Sequence, residues 1–293
     1  MEGRRLALTN LDKALWPATG FTKGEAIDYY TRVSGAVLPH LRARALTRVR
    51  FPDGVDGQHF YEKRAPSHTP DWVRTAPIAI GREGELNFVV CDDLPTLIWL
   101  GQLAALELHP SLALVPDPDR PTVVAFDLDP GAPADAIDCC RVALRLREMF
   151  SGLGLDCFPK TSGSKGLQVY IPLNTEVGFD QTKPFAQAVA RALERDDPEH
   201  VVSRMRKDLR KGKVFVDWSQ NDRAKTTVAV YSLRARERPT ASTPLRWEEV
   251  EQAAGEGDAD ALRFEPADVL ERVQGHGDLF APVLDLQQEL PEV

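Results

Sequence analysis

The sequence has little cysteine and no long apolar run. Cysteine accounts for only 4 of the 293 residues, and no Cys-x-x-Cys spacing occurs. No apolar stretch reaches the roughly 18 residues that a transmembrane helix needs, which excludes a membrane span. The two arginines near the N-terminus are not followed by an apolar core, which excludes a secretory signal peptide. We therefore expect a cytoplasmic protein whose cysteines are reduced and mostly buried: Cys91, Cys139, Cys140 and Cys157.

Internal repeats and compositional extremes are also missing. Apolar residues make up 43% of the chain and charged residues 27%, as in an ordinary globular protein. This composition excludes collagen-like, coiled-coil and wholly disordered chains. The length suffices for one large domain or two small ones with a packed core.

Positive charge is scarce overall but concentrated locally. The formal net charge is −8, yet residues 1–50 carry 9 Lys and Arg against 4 Asp and Glu, and residues 203–238 carry 11 against 4. Residues 247–293 carry 2 Lys and Arg against 13 Asp and Glu, so this acidic segment outweighs both basic zones in the net charge. Separate basic stripes are typical of a phosphate-binding surface, although solvated charged faces would give the same pattern.

Hydrophobic periodicity predicts a mixed α/β sheet in the middle of the chain. The expected order is β-α-β-β-α-β-β, with helices on one face, over residues 122–127, 133–150, 155–160, 167–173, 185–193, 214–218 and 226–233. The preceding elements are a strand at 6–8, a helix capped by Thr22 and Glu25, a hairpin over 75–90 with its tip at 81–84, and a helix over 94–109. We expect residues 247–293 to be helical and then extended.

Two carboxylates stand at the end of the apolar strand 122–127. Asp127 and Asp129 are two residues apart, so they point to the same side of a strand. Carboxylates placed in this way can bind divalent cations, and two cations can hold the attacking and leaving oxygens of a phosphoryl transfer. A solvated strand end with an Asp-Pro-Gly turn is the alternative.

A Gly/Ser-rich segment, KTSGSKG (160–166), separates two predicted strands. Its backbone N–H groups can turn toward one point and bind an anion, with Lys165 adding positive charge. The spacing differs from that of a Walker A loop and no helix follows. An ordinary hairpin turn is the alternative.

A third acid and a basic cluster follow. Asp217 lies in an apolar strand, where a carboxylate must be paired with a cation or with an arginine. Lys225, Arg234 and Arg236 surround the next predicted strand, and the two arginines can share a face and meet a polyphosphate. Together, these motifs favour metal-assisted nucleotidyl transfer.

The sequence resembles the polymerase domain of bacterial ligase D, a branch of the archaeo-eukaryotic primase superfamily. The matching stretches are TNLDKALWPATGFTKGEAIDYY (9–30), FDLDPG (126–131), TSGSKGL (161–167), GKVFVDWSQN (212–221), and KTT followed by YSLRAR (225–236). They extend over most of the chain and are specific as a set. GKVFVDWSQN is the most diagnostic block.

The resemblance implies roles for particular residues. Asp127, Asp129 and Asp217 would bind two Mn²⁺ or Mg²⁺ ions, with Mn²⁺ preferred. The nucleoside triphosphate would be held by His109, Ser162, Lys165, Gln168, Gln220, Lys225, Arg234 and Arg236. The 5′-phosphate of a downstream strand would be bound by Asn10, Lys13 and Lys23. Further DNA contacts would come from Arg50, Phe60, Tyr61, Lys63 and, on the template strand, Arg210, while the hairpin over 75–90 would align broken ends.

The implied fold is of the α/β (α+β) class: an archaeo-eukaryotic primase-like catalytic core with mixed sheets flanked by helices. We expect one primase-polymerase domain over residues 1–293, with a DNA-end-binding part (1–121), a catalytic part (122–240) and an acidic C-terminal wrap (241–293). The implied activity fills short gaps or overhangs in DNA, with ribonucleotides favoured. The implied partners are gapped or broken DNA, Ku and a separate ATP-dependent ligase, near the bacterial nucleoid.

Two features depart from the family pattern. Gln168 occupies the position where the family usually has histidine, so a neutral amide replaces a group that can carry positive charge to a phosphate. No ligase or nuclease domain follows, so we expect either a stand-alone protein or an excised domain.

Other functions fit part of the pattern. The same chemistry would serve excision repair or priming, although a primase needs no 5′-phosphate pocket. A catalytically weak scaffold that binds DNA ends is compatible with Gln168. A phosphatase with Asp127 as nucleophile would explain the paired acids but neither Asp217 nor the Gly/Ser-rich segment.

Overall fold

The computed structural model describes residues 3–80 and 84–291. In chain order, the strands are β1 (Ala14–Trp16), β2 (Phe21–Thr22), β3 (Ala45–Arg50), β4 (Phe60–Glu62), β5 (Thr75–Ile80), β6 (Gly84–Val90), β7 (Ala105–Pro110), β8 (Ala113–Leu114), β9 (Asp117–Pro121), β10 (Val123–Pro130), β11 (Phe158–Thr161), β12 (Leu167–Pro172), β13 (Val201–Val202), β14 (Val214–Asp217), β15 (Leu233–Ala235) and β16 (Pro239–Ala241). The helices are α1 (Lys23–Leu41), α2 (Leu94–Gln102), α3 (Ala136–Gly152), α4 (Phe179–Asp196), α5 (Trp247–Glu256), α6 (Pro266–His276) and α7 (Pro282–Asp285), with short 3₁₀ turns at Lys207–Leu209, Trp218–Gln220 and Asp260–Leu262. Among the described residues, no helix combines the length and apolar character that a membrane crossing requires.

The chain forms two compact units. The first unit comprises Met1–Pro118, Thr226–Ser242 and Phe264–Asp278. The second unit comprises Asp119–Lys225, Thr243–Arg263 and Leu279–Val293. The segments that follow residue 225 therefore contribute to both units.

The second unit is built on a mixed sheet with the strand order β11-β12-β10-β14-β13. The pairs are antiparallel except for β13 and β14, which run parallel. Helices α3 and α4 pack on β10. Phe126 of β10, Phe150 of α3 and Phe185 of α4 form the centre of this core, with ring centroids 5.3 and 6.5 Å apart along the series. The mixed sheet predicted for the middle of the chain is confirmed.

The first unit contains a sheet with the order β4-β3-β6-β5, in which β7 also pairs with β3. Helix α1 packs against α2 and α6. Its predicted start is confirmed, because Glu25 N donates to Thr22 Oγ1 at 3.2 Å and Thr22 N donates to Glu25 Oε2 at 2.7 Å. This reciprocal pair satisfies backbone N–H groups that the first helical turn leaves without an internal partner.

The helix predicted over residues 94–109 is wrong in its second half. Helix α2 ends at Gln102, Ala104 adopts a left-handed conformation with φ 55°, and β7 follows. Strand β7 is buried almost throughout, with Leu106 and Leu108 in the core. A fully buried strand has the same continuous apolar pattern as a buried helix, so periodicity could not separate the two.

Two predicted strands are also absent. Residues 6–8 form no strand, and in the stretch 226–233 only Thr226 makes an isolated bridge, to Ser111, before β15 begins at Leu233. Tyr231 has a φ of 65°, which interrupts any extended run there. The hairpin over 75–90 is confirmed as β5 and β6. Residues 81–83 of its predicted tip lie outside the described residues.

The four cysteines match their interpretation from the sequence. All of them are buried and none forms a disulfide. Burial raises the pKa of each thiol, to about 12 for Cys140 and Cys157, and well above the ordinary value for Cys91 and Cys139. They are therefore unreactive apolar side chains of the core.

Candidate functional site

Three aspartates lie on two paired strands of the second unit. Asp127 of β10 is the direct Cα partner of Asp217 on β14, in an antiparallel pair. Directly opposite side chains in such a pair start only about 4.5–5.5 Å apart at Cβ. Asp129 lies on the same side of β10 as Asp127, because Leu128 between them points into the core. The register of the sheet therefore places Asp127 opposite Asp217, with Asp129 two residues further along the same side of β10.

Asp127 lies between the other two aspartates, and its surroundings disfavour its ionised form. Burial, and then the nearby carboxylates of Asp217 and Asp129, raise the pKa of Asp127 to about 6. A hydrogen bond from Gln168 and the charge of Lys160 act in the opposite direction. A cation at this place would offset the mutual repulsion of the carboxylates.

The other two carboxylates have protein partners in this conformation. Asp217 accepts hydrogen bonds from Ser219 N (2.9 Å), Ser219 Oγ (2.6 Å) and Gln220 Nε2 (2.9 Å). Asp129 Oδ2 lies 3.5 Å from Arg210 Nη1. Among residues 3–80 and 84–291, no three His, Cys, Asp or Glu side chains converge into a complete metal-ligand set. The donors are hard oxygens, which suit Mg²⁺ or Mn²⁺, so the chemistry of these three residues fits a divalent cation.

The Gly/Ser-rich segment is held firmly against β10. Ser162 Oγ accepts from Ser164 N and Gly166 N, each at 3.2 Å, and Ser162 N donates to Gly166 O at 2.8 Å. A Cβ on Gly166 would lie 1.9 Å from Leu128 O, so only glycine allows this approach. Lys165 is exposed at the tip. The backbone N–H groups of Ser162, Ser164 and Gly166 are thus bonded within the turn rather than directed at an anion, and the turn presents Lys165 beside Leu128.

One buried residue near Asp127, Lys160, was given no role from the sequence. Lys160, only 1% exposed, is the Cα partner of Gln168, and its Nζ lies 5.5 Å from the ring centroid of Tyr170. Burying an unpaired lysine costs as much as burying an unpaired aspartate. The sequence offered no signal for this role, because Lys160 stands at the end of the predicted strand 155–160.

Of the remaining predicted nucleotide ligands, Lys225 belongs to the second unit and three residues belong to the first. Lys225 is exposed. His109 Nε2 lies 3.1 Å from Glu107 Oε2, and the Arg234 guanidinium lies 3.2 Å from Glu107 Oε1. Ala235 N also donates to Glu107 Oε1 at 3.0 Å. The side chain of Arg236, the next residue, is exposed. Glu107 thus contacts His109, Arg234 and Ala235 in this cluster. The cluster was missed in the sequence because residues 94–109 were predicted to form one helix.

We expect Glu107 to make stability depend on pH. Despite its burial, hydrogen bonds and charges from His109 and Arg234 lower the pKa of this carboxyl to about 2. Its contribution of about 3 kcal/mol is therefore fully present above the unfolded pKa near 4.5 and is lost as the pH falls toward about 2. Glu107→Gln should lose about this much stability at pH 7 and much less at pH 3, as measured by urea unfolding. An equal loss at both pH values would contradict the prediction.

The predicted 5′-phosphate residues lie together at the start of α1. Lys23 is 6% exposed, and its Nζ donates to Thr9 O at 2.9 Å. Burial, and then the positive charge of Lys13, lower the pKa of Lys23, so the two ammonium groups are near each other. Lys13 Nζ donates to Pro52 O (2.6 Å) and Asp53 Oδ1 (3.0 Å). Asn10 adopts φ 54°, and its carbonyl oxygen accepts from Lys13 N, which closes a turn that ends at Lys13, while Lys23 N donates to Lys13 O at 2.9 Å.

The predicted DNA-contacting aromatics are exposed on the short strand β4. Phe60 is 40% and Tyr61 56% exposed. The next residue, Glu62, accepts hydrogen bonds from Arg48 and Arg50, each at 2.9 Å. These two ion pairs link β4 to β3. Arg50 also donates to Leu103 O at 2.8 Å, and Lys63 is half-buried.

Arg210 lies in the second unit. Its guanidinium stacks 3.6 Å from the ring centroid of Phe215 and donates to Met205 O at 2.8 Å. A Cβ on Gly131 would lie 1.9 Å from Arg210 O, so this segment packs tightly on the end of β10. Arg210 is thus held beside Asp129.

The chain is similar to known proteins over nearly its whole length. The family described as "LigD, primase-polymerase domain" matches residues 22–280. The multifunctional non-homologous end joining protein LigD of Mycolicibacterium smegmatis is 40% identical over 281 residues, or 95% of this chain and 36% of that protein. The corresponding DNA repair protein of Mycobacterium tuberculosis is 42% identical over 297 residues, or 96% of this chain and 38% of that protein.

A solved structure agrees with these similarities. The polymerase domain from Mycobacterium tuberculosis ligase D, in complex with DNA, superimposes with a TM-score of 0.87 at 39% identity, covering 96% of this chain and 98% of that one. The predicted fold class is thereby confirmed. This chain spans less than two fifths of the two mycobacterial relatives' length. The chain belongs to the LigD primase-polymerase domain family.

Proposed function

We propose that this protein is a template-dependent nucleotidyltransferase that fills short gaps or overhangs during non-homologous end joining. The observation that carries the proposal is the pairing of Asp127 with Asp217 across β10 and β14, with Asp129 on the same side of β10. Carboxylates on these paired strands suit nucleotidyl transfer, because they can bind the cations that stabilise charge in a reaction that needs no covalent intermediate on the protein. The end-joining proteins to which the chain is similar support the pathway.

The chain's own residues have distinct tasks in this reaction. Asp127, Asp129 and Asp217 would hold two Mn²⁺ or Mg²⁺ ions, which when bound supply charge neutralisation for the attacking and leaving oxygens. Gln220 and Ser219 hold the Asp217 carboxylate in place. The turn of Ser162 and Gly166 presents Lys165 to the anionic substrate.

A single-turnover assay on gapped DNA tests the proposal. With Mn²⁺ and a labelled nucleotide, we expect incorporation of the nucleotide that the template base specifies, and none without a divalent cation. Comparison of kcat/KM for ribo- and deoxyribonucleotides tests our further proposal that ribonucleotides are preferred. No incorporation on any primed template would overturn the proposal in favour of a DNA-end-binding scaffold.

The two lysines of the first unit are proposed to recognise a 5′-phosphate. A terminal phosphate carries more charge than a bridging one, so a lysine pair can select an end without reading sequence. The pair is prearranged, because Lys23 is buried and the charge of Lys13 acts on it.

We expect Lys13→Ala to remove most of the preference for a phosphorylated gap. Loss of one charge-assisted contact, worth about 1.5–3 kcal/mol, should weaken binding to the phosphorylated end about 10- to 100-fold. Binding to the same gap with a 5′-hydroxyl should change little. Fluorescence anisotropy on the two duplexes measures both affinities, and Arg32→Ala, an exposed cation on α1, is the control. Equal weakening on both duplexes would show a general backbone contact instead.

We also propose Ku and a separate ATP-dependent ligase as partners. Both mycobacterial relatives are non-homologous end joining proteins, which supports this proposal. Stimulated joining of mismatched ends when this protein is added to Ku and such a ligase is the expected result.

A further inference from the structure

Gln168 lies at the centre of the acidic region. On β12 it is the Cα partner of both Asp127 on β10 and Lys160 on β11. Asp127 is therefore flanked by Gln168 on one side and Asp217 on the other. Gln168 is 4% exposed, so its amide must find its hydrogen-bond partners within the protein.

The orientation of this amide is determined by its neighbours. An ionised carboxylate only accepts hydrogen bonds, so the N–H side of the amide must face Asp127. Gln168 Nε2 donates to Asp127 Oδ1 at 3.1 Å, and Gln168 Oε1 accepts from Tyr170 Oη at 3.4 Å.

Tyr170 is itself held in place. It is buried, and its ring packs edge-on against Phe280 with centroids 5.4 Å apart. Lys160 Nζ lies 5.5 Å from the centroid of the same ring. The hydroxyl that orients the amide thus belongs to a ring with two contacts beyond its own strand.

We propose that Gln168 is a positioning residue for Asp127 rather than a ligand of the nucleotide. Its amide, oriented by Tyr170, holds Oδ1 of Asp127 and so sets the direction of the carboxylate toward a divalent cation. This inference rests on the proposed function and replaces the nucleotide-binding role expected from the sequence. Groups that orient metal ligands typically change metal affinity or activity about 10- to 100-fold when they are removed.

The test uses Gln168→Met, which keeps chain length but removes the donor, and Tyr170→Phe, which keeps the ring but removes the hydroxyl. Gln252→Met is the matched control, because Gln252 donates to Glu256 at 3.0 Å on an exposed face of α5. Mn²⁺ affinity is measured without nucleotide by electron paramagnetic resonance of the free ion. Nucleotide KM and kcat are measured on a gapped duplex, and circular dichroism confirms folding.

We expect Gln168→Met to weaken Mn²⁺ binding and to lower kcat, each about tenfold, with an unchanged nucleotide KM. Tyr170→Phe should also weaken Mn²⁺ binding and lower kcat. The double variant should have the same Mn²⁺ affinity and kcat as Gln168→Met, because both changes act through the Gln168 amide. A raised KM with unchanged Mn²⁺ affinity would overturn the inference, as would unchanged Mn²⁺ affinity and kcat. Absence of incorporation by the wild-type protein would instead overturn the proposed function, and the Mn²⁺ titration would still decide the role of Gln168.

Discussion

Asp127→Asn should abolish nucleotide incorporation while leaving the protein folded. The substitution removes the central carboxylate of the acidic cluster, which lies directly opposite Asp217. Loss of a charged group that stabilises the transition state typically costs about 10²–10³-fold, and a shared metal ligand should be at the upper end, near 4 kcal/mol. Single-turnover incorporation on a gapped duplex with Mn²⁺ measures the loss.

The same variant should be at least as stable as the wild-type protein without metal. Burial and the neighbouring carboxylates raise the pKa of Asp127 to about 6, so its charged form opposes folding. Ionised Asp127 therefore lowers the free energy of unfolding increasingly as the pH rises from about 4 through about 6. At pH 7 a neutral side chain at this position should raise the free energy of unfolding by roughly 1–3 kcal/mol. Urea unfolding of the metal-free protein at pH 5 and pH 7 measures the difference.

The control for Asp127→Asn is Asp156→Asn, an exposed acid in the same unit. It should keep full activity and unchanged stability. Substantial incorporation by Asp127→Asn would contradict a role for this carboxylate in catalysis. An activity loss accompanied by unfolding would contradict the stability argument.

Gly166→Ala should have the second largest effect. A Cβ at this position would lie 1.9 Å from Leu128 O, an atom of the β10 backbone that cannot rotate away. The turn held by Ser162 must therefore move away from the strand that carries Asp127 and Asp129. Overpacking of this kind typically costs about 1–3 kcal/mol of stability. Displacement of substrate-binding groups by about 1 Å can lower activity about 10²-fold.

Gly152→Ala is the matched control for Gly166→Ala. Gly152 ends α3, and a Cβ there would meet nothing within 4 Å. This change should be neutral or stabilising by about 0.5–1 kcal/mol, because alanine favours the helix. Thermal unfolding and incorporation assays on both variants make the comparison. Unchanged activity and stability in Gly166→Ala would show that the turn has no fixed position against β10.

Local features of the fold could be predicted because their causes are local. The capping box of Thr22 and Glu25 needs only residues three apart, and it starts α1 at the expected place. The shared side of Asp127 and Asp129 follows from the two-residue period of a strand.

Residues in the segment 94–109 show where local patterns fail. The apolar run continues from α2 into β7, and only the left-handed turn at Ala104 and pairing with β3 separate the two. In a helix, Glu107 and His109 would point to different sides, whereas in β7 they share one side. The cluster of Glu107, His109 and Arg234 could therefore not be found before the strand was known.

The sequence by itself determined the chemistry that is available: three aspartates, a Gly/Ser-rich turn, lysines near the N-terminus and an amide at position 168. Through its motifs it also determined the family. Only the tertiary structure decided that Asp217 lies opposite Asp127, because β10 and β14 are far apart in the chain and their pairing depends on the whole sheet. It also decided that Gln168 faces Asp127 and Tyr170, because the partners of a buried amide are selected by strand register and not by neighbours in the sequence.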